Sequence, residues 1–277
     1  MPEVTLSGVV ALLVTPFDAN ENIVHGDIAR QIEAAVAFGL SAVCLPAYAS
    51  EFYKLSESER LSVVKTAVDA SRNRIRVIGQ SNHPSARLAA QLARKNADAG
   101  ADLISFAIPR QFGLTEEDLL GYCQTLCDAV TVPILIQDFN PGGATIGPEF
   151  CRKLRDRCAN FAYVKLEEPL LGPKLLAIRA ATDNRIGVLE GWGGMYVPEL
   201  LGSGIAGVMP GLGHADLMQV MWNLGTAGQM EAALDVFDAL LPQIVYFSRI
   251  SNSISRSKNT SCPNAALFPT PPSETRD

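Results

Sequence analysis

The sequence has little histidine: only His25, His83 and His214 among 277 residues. Each lies beside an expected helix start, and none has ligand spacing to a carboxylate. No HExxH pair occurs, so a divalent metal site, and with it a metal-dependent aldolase, is disfavoured. The absence of GxSxG disfavours an α/β-hydrolase serine. There is no basic run, and the formal net charge is −6. Neither nucleic acid nor an anionic membrane surface is therefore an expected partner. No apolar stretch approaches the ~20 residues that span a bilayer. The opening MPEVTLSGVV lacks the basic and apolar regions of a secretory signal, so a cytoplasmic protein is expected. The six cysteines form no CxxC. They are expected to be reduced and packed, with Cys123 and Cys127 on one helix face.

What is present is apolar and repetitive. Nearly half the residues are hydrophobic (48%), enough for a sizeable core. Short apolar runs occupy 8–14, 41–46, 75–79, 102–108, 133–137, 162–166, 186–190 and 205–209. They are rich in β-branched residues and mostly do not alternate, as expected of strands buried on both faces of a parallel sheet. Helix signals lie between them. Ile28, Ile32, Ala35 and Val36 form one apolar stripe. Ser56 and Glu59 fit a capping box. Pro84, Pro148 and Pro173 stand where first turns begin, and Gly39 and Gly100 where helices stop. Eight strand–helix units over residues 1–227 predict a (β/α)8 TIM barrel, with a doubly wound sheet as the alternative. A C-terminal helix is expected over 228–250. Residues 251–277 are rich in Ser, Pro, Asn and Arg and read as an irregular tail.

In such barrels chemistry sits at the C-terminal ends of strands. Those ends carry Thr15, Tyr48, Ser50, Glu51, Gln80, Asn82, Arg110, Gln111, Gln137, Asp138, Lys165, Glu167, Glu190 and Trp192. This gathering of polar groups points to a small-molecule site. The Gly-rich turns GWGG (191–194) and PGLGH (210–214) follow the last two strands. The backbone N–H groups from Gly191 onward are candidates to hold a carboxylate or phosphate, although tight turns explain them equally well. Lys165 closes the run AYVKL. A solvated lysine is the plain reading. A lysine inside a barrel mouth is instead partly desolvated, which favours the neutral amine and attack on a carbonyl.

Several motifs carry a resemblance. GVVALLVTPF (8–17), AYASEFYKLSESER (47–60), NADAGAD (96–102) and YVKLEE (163–168) together resemble the dihydrodipicolinate synthase and N-acetylneuraminate lyase superfamily, the class I Schiff-base aldolases. The similarity runs from about residue 6 to about 250. It implies a lyase, an aldolase or dehydratase acting on a 2-keto acid, possible sugar-acid-derived substrates included. It also implies a covalent imine on Lys165, no other cofactor, and a homotetramer or homodimer. The family's two substrate-binding threonines fall on Tyr48 and Ala49. Backbone N–H groups at Ala49 and Ser50, with the Tyr48 hydroxyl, are the expected carboxylate seat. The family tyrosine of P-x-x-x-Y-N-x-P is replaced by Gln137, which can orient substrate but not shuttle a proton. Asp138 beside it is the candidate acid/base, against a plain turn hydrogen bond. Arg110 is a candidate clamp for a distal anion. The arginine that the synthases carry after the tyrosine has no match in NPGGATIG (140–147). Two alternatives stay open: 4-hydroxy-tetrahydrodipicolinate synthase proper, and a non-catalytic keto-acid-binding barrel.

Overall fold

The computed structural model describes residues 6–110, 113–140 and 143–251, with side chains described to residue 246. The tail expected over 251–277 lies outside these residues beyond Ser251, as does Gln111. Eight parallel strands close into a barrel in sequence order. They are β1 (Gly8–Leu12), β2 (Ala42–Leu45), β3 (Arg76–Gln80), β4 (Leu103–Ala107), β5 (Ile134–Asp138), β6 (Phe161–Leu166), β7 (Gly187–Glu190) and β8 (Gly207–Val208). The helices are α1 (His25–Ala37), α2 (Glu57–Ser71), α3 (Ala86–Asp98), α4 (Glu116–Cys127), α5 (Pro148–Arg157), α6 (Gly172–Ala181), α7 (Val197–Leu200), α8 (Ala215–Thr226) and α9 (Met230–Ser251). The Ser56 hydroxyl accepts from the Glu59 N–H and the Glu59 carboxylate from the Ser56 N–H, so the expected capping box starts α2. Pro148 stands in the first turn of α5. The helix expected over 228–250 is α9, which continues through Pro242. Leu240 and Ile244 on either side of that proline are buried, so packing outweighs the lost backbone bond.

The non-alternating runs divide between two cores. Val10, Ala42, Cys44, Ile78, Leu103, Leu135, Tyr163, Leu189 and Met209 fill the barrel interior. Their strand neighbours, such as Val9, Val43, Val77, Ile104, Ile134, Ile136, Val164 and Val188, pack against the helices. Successive side chains of a strand point to opposite faces. Inside the barrel, at the N-terminal end, the Tyr163 hydroxyl accepts the N–H of Leu6 at 2.8 Å, and Leu6 joins the inner core.

The seam between β1 and β8 pairs Gly8 with Gly207. A Cβ on Gly207 would run into the Gly8 carbonyl oxygen, so the last, two-residue strand closes the barrel only with glycine there. Gly207→Ala is expected to destabilise the protein by about 1–3 kcal/mol, the usual range for overpacking. Urea unfolding of the two proteins measures it.

Candidate active site

The face on which each strand-end residue lies follows from this period of two. Tyr163 points into the barrel, so Lys165, two residues on, does as well, and Glu167 continues the same row. The Lys165 and Glu167 side chains are 4% and 15% exposed, and Nζ lies 3.0 Å from Glu167 Oε1. Gln137 pairs with Lys165 across β5 and β6. Its amide nitrogen donates to the same Glu167 oxygen. Gln80 Nε2 donates to Gln137 Oε1 at 3.0 Å and to Asn82 Oδ1 at 3.1 Å. The Cys44 thiol donates to Gln80 Oε1 at 3.3 Å. Burial pushes that thiol up to about 12, while the charge of Lys165 pulls the other way. A continuous polar row thus crosses the barrel mouth from β2 to β6.

The opposite parity carries the other residues outward. Asp138 shares the face of Ile134 and Ile136, and its side chain is fully buried. Arg110 grips it with two bonds, Nε to Oδ1 at 3.0 Å and Nη2 to Oδ2 at 2.6 Å. The Ile146 N–H donates to Oδ2 at 2.6 Å. The structure therefore does not bring Asp138 to Lys165. Its carboxylate holds Arg110 and the segment after β5 in place, and Arg110 is engaged there rather than turned to a distal anion. Glu168 likewise faces away from Glu167. Burial works against its ionised form, but Lys174 at 2.7 Å and Thr145 hold its carboxyl below the ordinary range.

The expected carboxylate seat is reshaped. The Ser50 N–H donates to the Ala47 carbonyl at 3.1 Å. The Ser50 hydroxyl accepts from the Ala47 N–H at 2.8 Å and donates to the Leu13 carbonyl. Ser50 thus shapes the loop. The N–H groups of Tyr48 and Ala49 have no partner among the described residues. Partial burial first, then the charge of Glu167, raises the half-exposed Tyr48 hydroxyl above its ordinary value. The Gly191 N–H donates to the Leu166 carbonyl at 3.0 Å, so it belongs to the sheet rather than to a ligand. What matters at Gly191 is its missing side chain. A Cβ there would run into Glu167 Cγ and lie 3.0 Å from Lys165 Cε.

Glu167, Gln80 and Glu190 stand among the strand-end polar groups, but the sequence assigns none of them a role. The Lys-x-Glu spacing of 165 and 167 was the available signal, because it puts both on one face of a strand. Among the described residues no three His, Cys, Asp or Glu side chains gather as a metal site. Glu190 ends β7 and is fully buried. Its Oε2 accepts from the Gly194 N–H at 2.8 Å, and its Oε1 has no hydrogen-bond partner among the described residues. Burial pushes this carboxyl up to about 7, against the N–H groups of Gly194 and Trp192 and the charge of Lys165.

The unfolded chain releases the Glu190 proton near its ordinary value of 4.5 and the folded chain near 7. Glu190 therefore costs stability progressively as pH rises through that window, and fully above it. Glu190→Gln is expected to melt close to the parent at pH 4 and above it at pH 8. The gap is at most about 3 kcal/mol, the free-energy equivalent of that displacement. Melting curves at the two pH values check it.

The Dihydrodipicolinate synthetase family model matches residues 5–255. The chain is similar to L-2-keto-3-deoxyarabonate dehydratase of Azospirillum brasilense, at 24% identity over 253 residues, 90% of this chain and 82% of that protein. It is also similar to 4-hydroxy-tetrahydrodipicolinate synthase of Chlorobium chlorochromatii, at 31% identity over 145 residues, 52% of this chain and 48% of that one. Among solved structures, YagE, a prophage protein of the dihydrodipicolinic acid synthase family from E. coli K12 in complex with pyruvate, superposes with a TM-score of 0.81. That match has 21% identity and covers 89% of this chain and 86% of that one. With its closed eight-stranded barrel and a family match over nearly its whole length, the chain belongs to the dihydrodipicolinate synthetase family and is a lyase.

Proposed function

We propose that this lyase dehydrates a 2-keto-3-deoxy sugar acid through an imine on Lys165, with Glu167 moving the protons. The observation that carries the reading is the Lys165–Glu167 contact of 3.0 Å inside the barrel mouth. Glu167 takes a proton from the Lys165 ammonium, the freed amine attacks the C2 carbonyl and passes one of its own protons to the oxygen, and Glu167 gives its proton back so that the oxygen leaves as water. The resulting iminium withdraws electrons from C3, and Glu167 takes a C3 proton to give the enamine. The enamine expels the C4 hydroxyl, which takes the proton back from Glu167 and departs as water. Hydrolysis of the imine releases the 2-keto product and the amine. One carboxyl beside the imine serves both proton transfers, as an elimination needs. The name of the dehydratase relative supports this direction. The reaction as written needs no metal or other cofactor.

The free N–H groups of Tyr48 and Ala49 are the proposed seat of the substrate carboxylate. Asp138 takes no part in proton transfer on this reading, because Arg110 and Ile146 N–H hold it on the helix side of the sheet. We read the assembly as a homodimer or homotetramer. Leu217, Val220, Leu234 and Val245 on α8 and α9, each 41–46% exposed, support an apolar contact there. A cytoplasmic location belongs to the same reading and fits the five buried free thiols among the described residues.

Incubation with pyruvate and borohydride is expected to add one reduced pyruvate to Lys165, seen by mass, and Lys165→Ala to abolish it. An unmodified mass with pyruvate demonstrably bound overturns the proposal. Glu167→Gln is expected to keep the trapped adduct while slowing exchange of the pyruvate methyl protons in deuterated water by about 10²–10⁴-fold, the usual contribution of a general base. Proton NMR follows that exchange.

A further inference from the structure

The buried amides of the barrel mouth have a polarity fixed at both ends. A carboxamide has one donating and one accepting end. At one end of the row the Glu167 carboxylate receives Gln137 Nε2. At the other, the Ala107 backbone N–H donates to Asn82 Oδ1 at 2.7 Å, and a backbone donor cannot turn round. Between them stands Gln80, 2% exposed, with Nε2 directed at both Asn82 Oδ1 and Gln137 Oε1 and Oε1 capped by the Cys44 thiol.

Asn82 shows that the order is imposed. Its Nδ2 is buried with no hydrogen-bond partner among the described residues. Turning the amide over would set Nδ2 against two donors, the Ala107 N–H and Gln80 Nε2. The outer ring holds the end of β3 in turn. An Arg60 nitrogen donates to the Asn82 carbonyl at 2.8 Å, and Asn96 Nδ2 donates to the Gln80 carbonyl at 3.3 Å and to Ser81 Oγ at 3.1 Å.

We infer that Gln80 is a positioning residue of the reaction. By donating to Gln137 Oε1 it locks the Gln137 carboxamide with its N–H toward Glu167, and so fixes the plane in which that carboxylate meets C3 of the bound imine. This rests on Glu167 being the base. Among the described residues Gln80 has no hydrogen bond to Lys165 or Glu167, and its link to the pair runs through Gln137. Its effect therefore falls on proton transfer and leaves imine formation unaltered.

Two variants of nearly unchanged volume test it, with pyruvate as the probe. Gln80→Met removes the donor. It is expected to leave borohydride trapping on Lys165 at the parent level and to slow methyl proton exchange about tenfold, the size of one hydrogen bond. Gln80→Glu replaces the donor with a group that donates only while protonated. Its exchange is expected near the parent rate at low pH and to fall as the introduced carboxyl ionises and turns Gln137 away from Glu167. Parent-like exchange in both variants overturns the inference. So does an equal loss of trapping and exchange, or a Gln80→Glu profile that parallels the parent's, since either marks a purely structural role. If the parent protein traps pyruvate but Glu167→Gln exchanges normally, the assignment of the base fails first, and that outcome is separate from the Gln80 result.

Discussion

The contact between the Lys165 ammonium or amine and the Glu167 carboxylate governs this barrel. Both groups are largely withdrawn from water, where either alone would be costly. They tolerate burial because they face each other and because Gln137 satisfies the same carboxylate oxygen. Chemically the arrangement is unstable in a useful way. On the proposed route, condensation of the amine with a ketone leaves the carboxylate beside the new iminium. The partner that stabilises the resting lysine would then be the base nearest the activated carbon.

The fold delivers this contact through regularities of strand geometry. Side chains of parallel strands alternate between a closed interior and a helical shell, so a two-residue step keeps Lys165 and Glu167 on one wall and a one-residue step separates Gln137 from Asp138. The inward row becomes carboxamides, a thiol and the ion pair, while the outward row becomes the Asp138–Arg110 and Glu168–Lys174 pairs that pin the loops. Glycine marks the points of closest approach. At Gly191 the chain turns directly against Glu167 and Lys165, and at Gly207 one strand lies against the backbone of another.

Much of the architecture was legible in the sequence because eight β-branched runs separated by capped helices leave few arrangements. The position of Lys165 was legible as well, at the end of AYVKL. The choice between Gln137 and Asp138 was not. In PILIQD both faces of the strand are buried, so the alternation that separates inside from outside is invisible. Nothing local marks Ile136 as facing helices and Leu135 as facing the interior. Sequence therefore favoured the residue with the better acid–base chemistry, and geometry favoured its neighbour. Glu167 carries no assigned role in the sequence for the converse reason. It follows the last strand residue, where the row is expected to dissolve into a loop, yet its N–H still bonds the Asp138 carbonyl and prolongs the ladder. Glu190 and Gln80 carry no motif. Only three-dimensional burial sets them apart.

Leu6 lies over Tyr163 and is bonded to its hydroxyl, stoppering the end of the cylinder opposite the reactive amine. Among the described residues, Leu6 and Tyr163 thus occupy the inner core at that end, and on the proposed route the keto acid, the expelled water and the product would all pass by way of the opposite rim.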